Sequence, residues 1–395
     1  MPSFTRCMSN RIVRSAAWAV ATGVALLRAL PSLAQQPAAP PPPTNNYWVY
    51  VGAESADLIH RLRFGPGGFV VERTIPVGEL AAEMEGPHGL QISRDGKYLH
   101  MTTGHGFPDG KYWKFALGPD TLVGTPTLLS FFPASIDLTP DGLYAFVVNF
   151  NLHGEMVPSS VSVVYTPTNT EVARTTTCTM PHGSRVDVTG LRQYSTCMMD
   201  DQLVEIDTRD FDVARRFGLA AGKEGPISAA DAKEQIAHAA MNHGPHPPAS
   251  CSPTWAQPSA DGSRIYVACN KADEIVEIDR DRWAITRRFK TGRGPYNLAA
   301  SPDGRLLVAS LKQGGAVQIF DLATGTSVLN TKASTTVTHG VVITPDSRYA
   351  FVSSEGVGAA PGKVDVFDLK TFTRVGSVDV GQQAGGIAFW KMEKP

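Results

Sequence analysis

From Tyr47 onward the chain is written in short apolar runs separated by turn residues. Stretches such as Arg264-Ile265-Tyr266-Val267-Ala268 and Arg305-Leu306-Leu307-Val308-Ala309-Ser310 are continuously apolar, too short for helices, and bounded by Gly, Asp or Asn. Such runs are strands buried on both faces. A second kind of run mixes apolar with acidic positions: Leu203-Val204-Glu205-Ile206-Asp207, Ile275-Val276-Glu277-Ile278-Asp279, Val317-Gln318-Ile319-Phe320-Asp321 and Val364-Asp365-Val366-Phe367-Asp368. A third, such as Ala284-Ile285-Thr286-Arg287-Arg288-Phe289, is mostly polar on one face. Before each run of the first kind after Tyr47 stands a tight turn, Asp95-Gly96, Asp141-Gly142, Asp261-Gly262 or Asp303-Gly304, replaced by Thr189-Gly190 and Asp346-Ser347 in two places. Apolar segment, Asp-Gly turn, apolar segment is a hairpin.

The turns recur at intervals of 46 (Gly96 to Gly142), 48 (to Gly190), 72 (to Gly262), 42 (to Gly304) and 43 residues (to Ser347). A period of about 40–50 residues with four short strands per unit is the signature of a β-propeller. Strand a, the innermost, ends at the turn; strands b, c and d follow outward. Sets of b, c and d begin near Tyr47, Lys97, Leu143, Gln193, Arg264, Arg305 and Arg348, which makes seven. The chain opens with b-c-d and closes with a lone inner strand, Gly386-Ile387-Ala388-Phe389-Trp390. The expectation is an all-β, seven-bladed propeller over residues 47–395, with the C-terminal strand completing the N-terminal blade and removing the open edge.

The unit from Gly294-Pro295-Tyr296-Asn297 to Pro302-Asp303-Gly304-Arg305-Leu306-Leu307-Val308-Ala309, and the segment Ile265-Tyr266-Val267-Ala268-Cys269-Asn270, resemble the YVTN family of propeller repeats. The resemblance covers residues 47–391 and implies the fold. It implies little about activity, because one fold hosts many functions.

Segments outside the period change the picture. Arg6, Arg11 and Arg14 precede an apolar run from Ala16 to Leu27, and Ser32-Leu33-Ala34 follows. Residues 1–34 therefore read as a secretory signal peptide. Arg28 interrupts the run, so no membrane span is expected in the mature chain. Residues 35–46, with Pro40 to Pro43 in a row, read as an extended linker. An insertion at 220–250 lies between a strand d and the next strand a, and Ile227 to Ala240 has helical character with Ser228 as N-cap. Shorter expansions at 104–111, 149–160 and 354–363 are b–c connections. All of these emerge at one end of a propeller, so the added material is expected over the channel mouth.

The chain carries a formal net charge of −1, and loss of residues 1–34 leaves 32 basic against 37 acidic residues. Nothing here points to nucleic acid. The expected setting is periplasmic or secreted, as a monomer.

Eight positions before each turn Gly (or Ser347) stands the top residue of strand a: His88, Ala134, His182, Thr254, Tyr296, His339 and, at the closure, Gly385. The three His are nearly evenly spaced round the ring. Imidazoles converging from inner strands suit a His-ligated metal, at about 2.0–2.1 Å per bond. Without an evident carboxylate ligand the choice falls on copper, with zinc as the alternative. A wet channel mouth in which these His bond only water is the other reading. Tyr296 is a candidate hydrogen-bonding or redox partner, and Glu155 and Glu355 are candidate general bases. His105, His153, His238, His243 and His246 fall at the same end, whereas His60 and His100 read as ordinary strand residues.

Four cysteines remain after export. Cys197 and Cys269 each lie seven residues past a turn Gly, while Cys178 and Cys251 precede the inner strands of the same two blades. The doubled pattern favours Cys178–Cys197 and Cys251–Cys269 over the other two connectivities. No Cys-x-x-Cys-His, Gly-x-Ser-x-Gly, His-Glu-x-x-His or phosphate-binding Gly-Lys loop occurs. Two functions remain in view. One is a copper-dependent oxidoreductase acting on a small molecule at the channel mouth. The other is a non-catalytic propeller that binds a ligand or a periplasmic partner protein.

Overall fold

Seven antiparallel sheets stand round a central channel in the computed structural model, which describes residues 41–79, 82–105, 110–241 and 248–395. Residues 1–34, expected to be a signal peptide, the first part of the expected linker, His243 and His246 lie outside the described residues. Blades are numbered here by their inner strands: Pro87–Ile92, Pro133–Leu138, Pro181–Val186, Pro253–Pro258, Pro295–Ala300, Thr338–Ile343 and Ala384–Glu393. In blades 1 to 6 the chain runs from the inner strand outward. Blade 7 takes its three outer strands, Asn46–Ala53, Leu58–Gly65 and Gly68–Pro76, from the N-terminal end of the propeller. Its inner strand comes from the C-terminal end, with Tyr50 opposite Ala388 and Val51 opposite Ile387.

The three kinds of run occupy the three environments their patterns suit. Strands b lie between neighbouring sheets, so every residue of Leu306–Leu311 and Tyr349–Ser354 is buried. Strands c are buried as well, acidic residues included. Glu205 is tied to Arg215 at 2.7 Å and Glu277 to Arg287 at 2.5 Å. A buried carboxylate is tolerated when it is paired in this way. Strands d alternate, as in Ala284–Lys290, because one face meets solvent. The hairpin turns need a left-handed residue, which Gly142 supplies at φ 74° and Ser347 at 55°. The turn Asp serves as an acceptor: Asp141 takes the Leu143 N–H at 3.0 Å.

Departures from regularity are few. Blade 1 has a broken outer edge, Thr121–Leu122 and Thr127–Leu128, both paired with Lys111–Ala116. Blade 3 gains a fifth strand, Gly225–Ile227, from the insertion. The insertion's helix runs Ala229–Met241, and Ser228 caps it by accepting the Asp231 N–H at 3.1 Å. It is fastened to blade 3 where Gln202 donates to Gln235 at 2.8 Å. Both disulfides are the favoured pair, Cys178–Cys197 and Cys251–Cys269. Among the described residues no helix is long and apolar enough to cross a membrane.

Candidate axial site at the channel mouth

Three rings of residues build the mouth, each drawn from one repeat position. The first is the top of strand a, where His88, His182, Tyr296 and His339 stand. The second lies two residues earlier. All seven of its members are left-handed: Gly86, Phe132, Met180, Ser252, Gly294, Val337 and Gln383, with φ between 46° and 68°. The third is the residue just after strand b. Its N–H donates to the carbonyl of the second ring in every blade, as in Phe150 to Phe132 at 2.8 Å, Lys312 to Gly294 at 2.8 Å, Glu355 to Val337 at 3.0 Å and Glu54 to Gln383 at 3.0 Å. Aspartates reinforce the left-handed ring from the neighbouring blade: Asp57 accepts from Gly86, Asp201 from Ser252 and Asp273 from Gly294, each at 2.7 Å.

The axial imidazoles are oriented by the blade that follows. His88 Nδ1–H donates to the Ala134 carbonyl at 2.5 Å, and His182 Nδ1–H to the Thr254 carbonyl at 2.6 Å. Thr254 repeats the device with its hydroxyl, donating to the Tyr296 carbonyl at 2.8 Å. His339 leans toward Gly385 in the same sense, although its Nδ1 has no partner of good hydrogen-bond geometry. A carbonyl only accepts, so in His88 and His182 Nδ1 carries the proton. In a neutral ring Nε2 then keeps a lone pair.

The three Nε2 atoms meet different partners. Tyr296 OH donates to His182 Nε2 at 2.9 Å. His88 Nε2 stands 4.0 Å from Glu54 Oε1, and His339 Nε2 stands 3.8 Å from Glu355 Oε1. Burial pushes His182 down to about 3, helped by the charges of His88 and Lys312 and opposed by the Thr254 bond. Burial, then Lys312, His88 and His182, holds His339 well below the usual range. Both rings are therefore neutral at ordinary pH.

The acids and the lysine form the charged part of the mouth. Glu54 is buried, which alone would raise it, but His88, His105 and Lys312 together lower it and keep it ionised. It accepts from His105 Nε2 at 2.6 Å and from Gln383 Nε2 at 2.8 Å. His105 thereby presents Nδ1 to His153, whose Nε2 lies 3.3 Å away. Lys312 pairs with Glu355 at 2.7 Å and lies over the Tyr296 ring at 4.4 Å. Burial would lower Lys312, but Tyr296, Glu355 and Glu54 outweigh it. Burial raises Tyr296, aided by Glu355 and Glu54 and opposed by Lys312, so it remains a phenol and a donor.

The structure gathers His88, His182, His339, Tyr296 and Glu355, and adds two residues that the sequence reading passed over, Glu54 and Lys312. The expectation of an imidazole set without a nearby carboxylate is corrected by Glu54 and Glu355. Glu155 is exposed and lines a separate groove of about 830 Å³ beside blade 2, together with His153 and Arg174. His60 and His100 are buried strand residues, bonded to Thr74 and Tyr112. His238 lies on the insertion helix. Among the described residues no three His, Cys, Asp or Glu side chains are gathered closely enough to hold a metal ion. The donor chemistry still suits a cation. Two Nε2 atoms face carboxylate oxygens across 3.8 and 4.0 Å, a span that two bonds of about 2.0–2.2 Å would fill.

No known family's sequence profile matches the chain, and no curated protein matches it. Solved structures do. Kuenenia stuttgartiensis hydrazine synthase aligns over 78% of this chain and 91% of its own, at 16% identity and a TM-score of 0.58. The periplasmic gluconolactonase PpgL of Pseudomonas aeruginosa aligns over 89% of this chain and 100% of its own, at 16% identity and a TM-score of 0.65. Likeness at this identity establishes the propeller fold and leaves the activity to be argued from the site.

Proposed function

We propose that this is an exported, periplasmic propeller whose axial histidines bind one transition-metal ion, copper before zinc, for oxidation of a small molecule at the mouth. The observation that carries the reading is the orientation of the imidazoles. His88 and His182 each spend Nδ1–H on a carbonyl of the next blade and turn Nε2 inward. Metal-ligating histidines are held in this manner, since the outer bond fixes tautomer and ring plane. His88, His339 and His182 would hold the ion, with Glu54 or Glu355 completing the set and Tyr296 released from His182. Copper would supply one-electron chemistry, and zinc would instead polarise a carbonyl or activate water. The chain's own part is to position and to carry protons. Glu54, His105 and His153 form a hydrogen-bonded path from the axis toward solvent. Tyr296 and Lys312 offer donors to a bound molecule, and the disulfides are what an oxidising compartment permits.

A second reading, a binding propeller without chemistry, is favoured by the lack of a ready-made set of three ligands among the described residues. Metal analysis of the protein purified from the export compartment separates the two. About one copper or zinc per chain, lost in His88→Ala and His182→Ala, is the expected result. Protein that holds no metal after loading leaves the binding propeller as the reading.

A further inference from the structure

We propose that the groove between blades 1 and 2, away from the axial histidines, binds a neutral sugar. The site stands apart from the metal reading. It is a consequence of the fold. Every other blade has an outer strand of at least six residues, whereas blade 1 has only Thr121–Leu122 and Thr127–Leu128. The outer strand of blade 2, Thr170–Thr179, is the longest of the set. Its Thr175 hydroxyl donates to the Phe211 carbonyl of blade 3 at 2.5 Å, and the alternate residues Arg174 and Thr176 line the space beside the shortened edge. That space measures about 830 Å³, within the range of about 300–1,000 Å³ usual for small-molecule sites.

Three segments supply the walls. The sheet face of blade 2 gives the hydroxyls of Ser160 and Thr176, which pair across the two outer strands. Behind them Asn149, fully buried, donates from Nδ2 to Ser160 at 3.0 Å and to Ser162 at 2.8 Å. The Ser160 oxygen is thereby held while its own proton remains to be given. The loop after strand b gives Asn151, whose Nδ2 donates to the Glu155 carbonyl at 2.9 Å. Its Oδ1 is buried and has no hydrogen-bond partner among the described residues. The same loop brings His153, the outer end of the path from Glu54 through His105, to the wall. The connection into blade 2 gives Phe131, 40% exposed, and Val157 and Pro158 extend the apolar surface.

The charged and titratable groups that line the groove are Arg174, Glu155 and His153. Each is already engaged. Arg174 is held by Glu171 through two bonds of 2.8 Å, His153 faces His105, and Glu155 has an interaction of its own. A charged ligand would give up water here without gaining an uncommitted counter-charge. What the groove offers instead is a set of neutral donors and acceptors beside an aromatic ring. A sugar ring answers both, because its hydroxyls project from the edge and its C–H face is apolar.

Saturation-transfer NMR titration with glucose, galactose, mannose, xylose and maltose, beside glycerol, glucuronate and glucosamine, tests the site. At least one neutral sugar should bind saturably, and about tenfold tighter than glycerol, which has no ring face to lay on Phe131. Glucuronate and glucosamine should bind no tighter than that sugar. Phe131→Ala should weaken it about tenfold and Thr176→Val about threefold to tenfold. Both residues are exposed, so the fold should survive either change. Thr170→Val, exposed on the same strand but outside the groove, should leave affinity unchanged. Chelator-treated protein should bind the sugar as tightly as metal-loaded protein, so that failure of this site and failure of the axial reading are told apart. No saturable binding of any of the five sugars, equal affinity for glycerol, or tighter binding of glucuronate or glucosamine overturns the proposal. So does affinity unchanged in both Phe131→Ala and Thr176→Val, or lost on chelation.

Discussion

A histidine's neighbours decide what its ring is free to do, and two buried rings of this chain differ in them. His182 is held by a carbonyl from the next blade, and its inward nitrogen meets only the Tyr296 hydroxyl. His100 is just as buried, but its Nδ1 bonds Tyr112 within one sheet at 2.6 Å. Burial pushes His100 down to about 3, with Lys114 assisting and Asp95 opposing. Its folded pKa is therefore depressed below the unfolded value of about 6.5. Stability from this group is complete above about 6.5 and falls as pH drops toward 3, because only the unfolded chain takes the proton. We predict that His100 alone contributes up to about 1.4 kcal/mol per pH unit across that window. Urea unfolding at several pH values should show a shallower acid slope for His100→Gln than for the wild type. Equal slopes would refute the assignment.

At the level of strands and turns, the repeat period locates more of the site than the tops of the inner strands. The apolar runs and the Asp-Gly turns were enough for strands, blade count and closure, because burial on both faces of strand b leaves no freedom in its pattern. The top of strand a was reached by counting back from each turn, and it led to His88, His182, His339 and Tyr296. Counting forward finds the third ring with equal regularity: Gly142 to Phe150, Gly190 to Met198, Gly304 to Lys312 and Ser347 to Glu355 are all eight positions. Lys312 was thus legible. Glu54 was less so, since the closing blade has no turn before its strand b. Which way an imidazole turns was not legible, because the carbonyl that orients it belongs to a different repeat.

The disulfides lie beside His182 and Thr254, with cysteines 19 and 18 residues apart. Cys178 lies in the outermost strand of blade 2, Thr170–Thr179, so its bridge to Cys197 ties blade 2 to strand b of blade 3, whereas Cys251–Cys269 stays within blade 4 and holds the start of its inner strand against strand b. Loops of this size are worth about 3 kcal/mol apiece in the chain-entropy account. We predict that Cys178→Ser with Cys197→Ser lowers unfolding free energy by about 2–4 kcal/mol, measured by denaturant titration. A loss below about 0.5 kcal/mol would show that the bridge constrains nothing the fold has not already fixed.

On the scale of the whole ring, closure and the mouth depend on one another. Blade 7 is made from both ends of the propeller, and it brings Glu54, Gln383 and Gly385 to the site. Its seams are specific: Tyr47 OH donates to Asp346 of blade 6 at 2.8 Å, and Tyr50 OH to Asp120 of blade 1 at 2.6 Å. Trp390 on the last strand donates to the Gly96 carbonyl at 2.9 Å. Removal of residues 384–395 would strip the inner strand from blade 7 and leave Asn46–Ala53 with an open edge. An unpaired edge of apolar residues is a template for association. The truncated chain is expected to lose its single cooperative melting transition and to self-associate in size-exclusion chromatography. A monomer with unchanged Tm would mean that six blades suffice and that closure is ornamental to stability. If the shortened protein stays folded but no longer binds metal, the last strand serves the mouth more than the fold, through Gly385 next to His339 and the neighbouring Gln383 on Glu54.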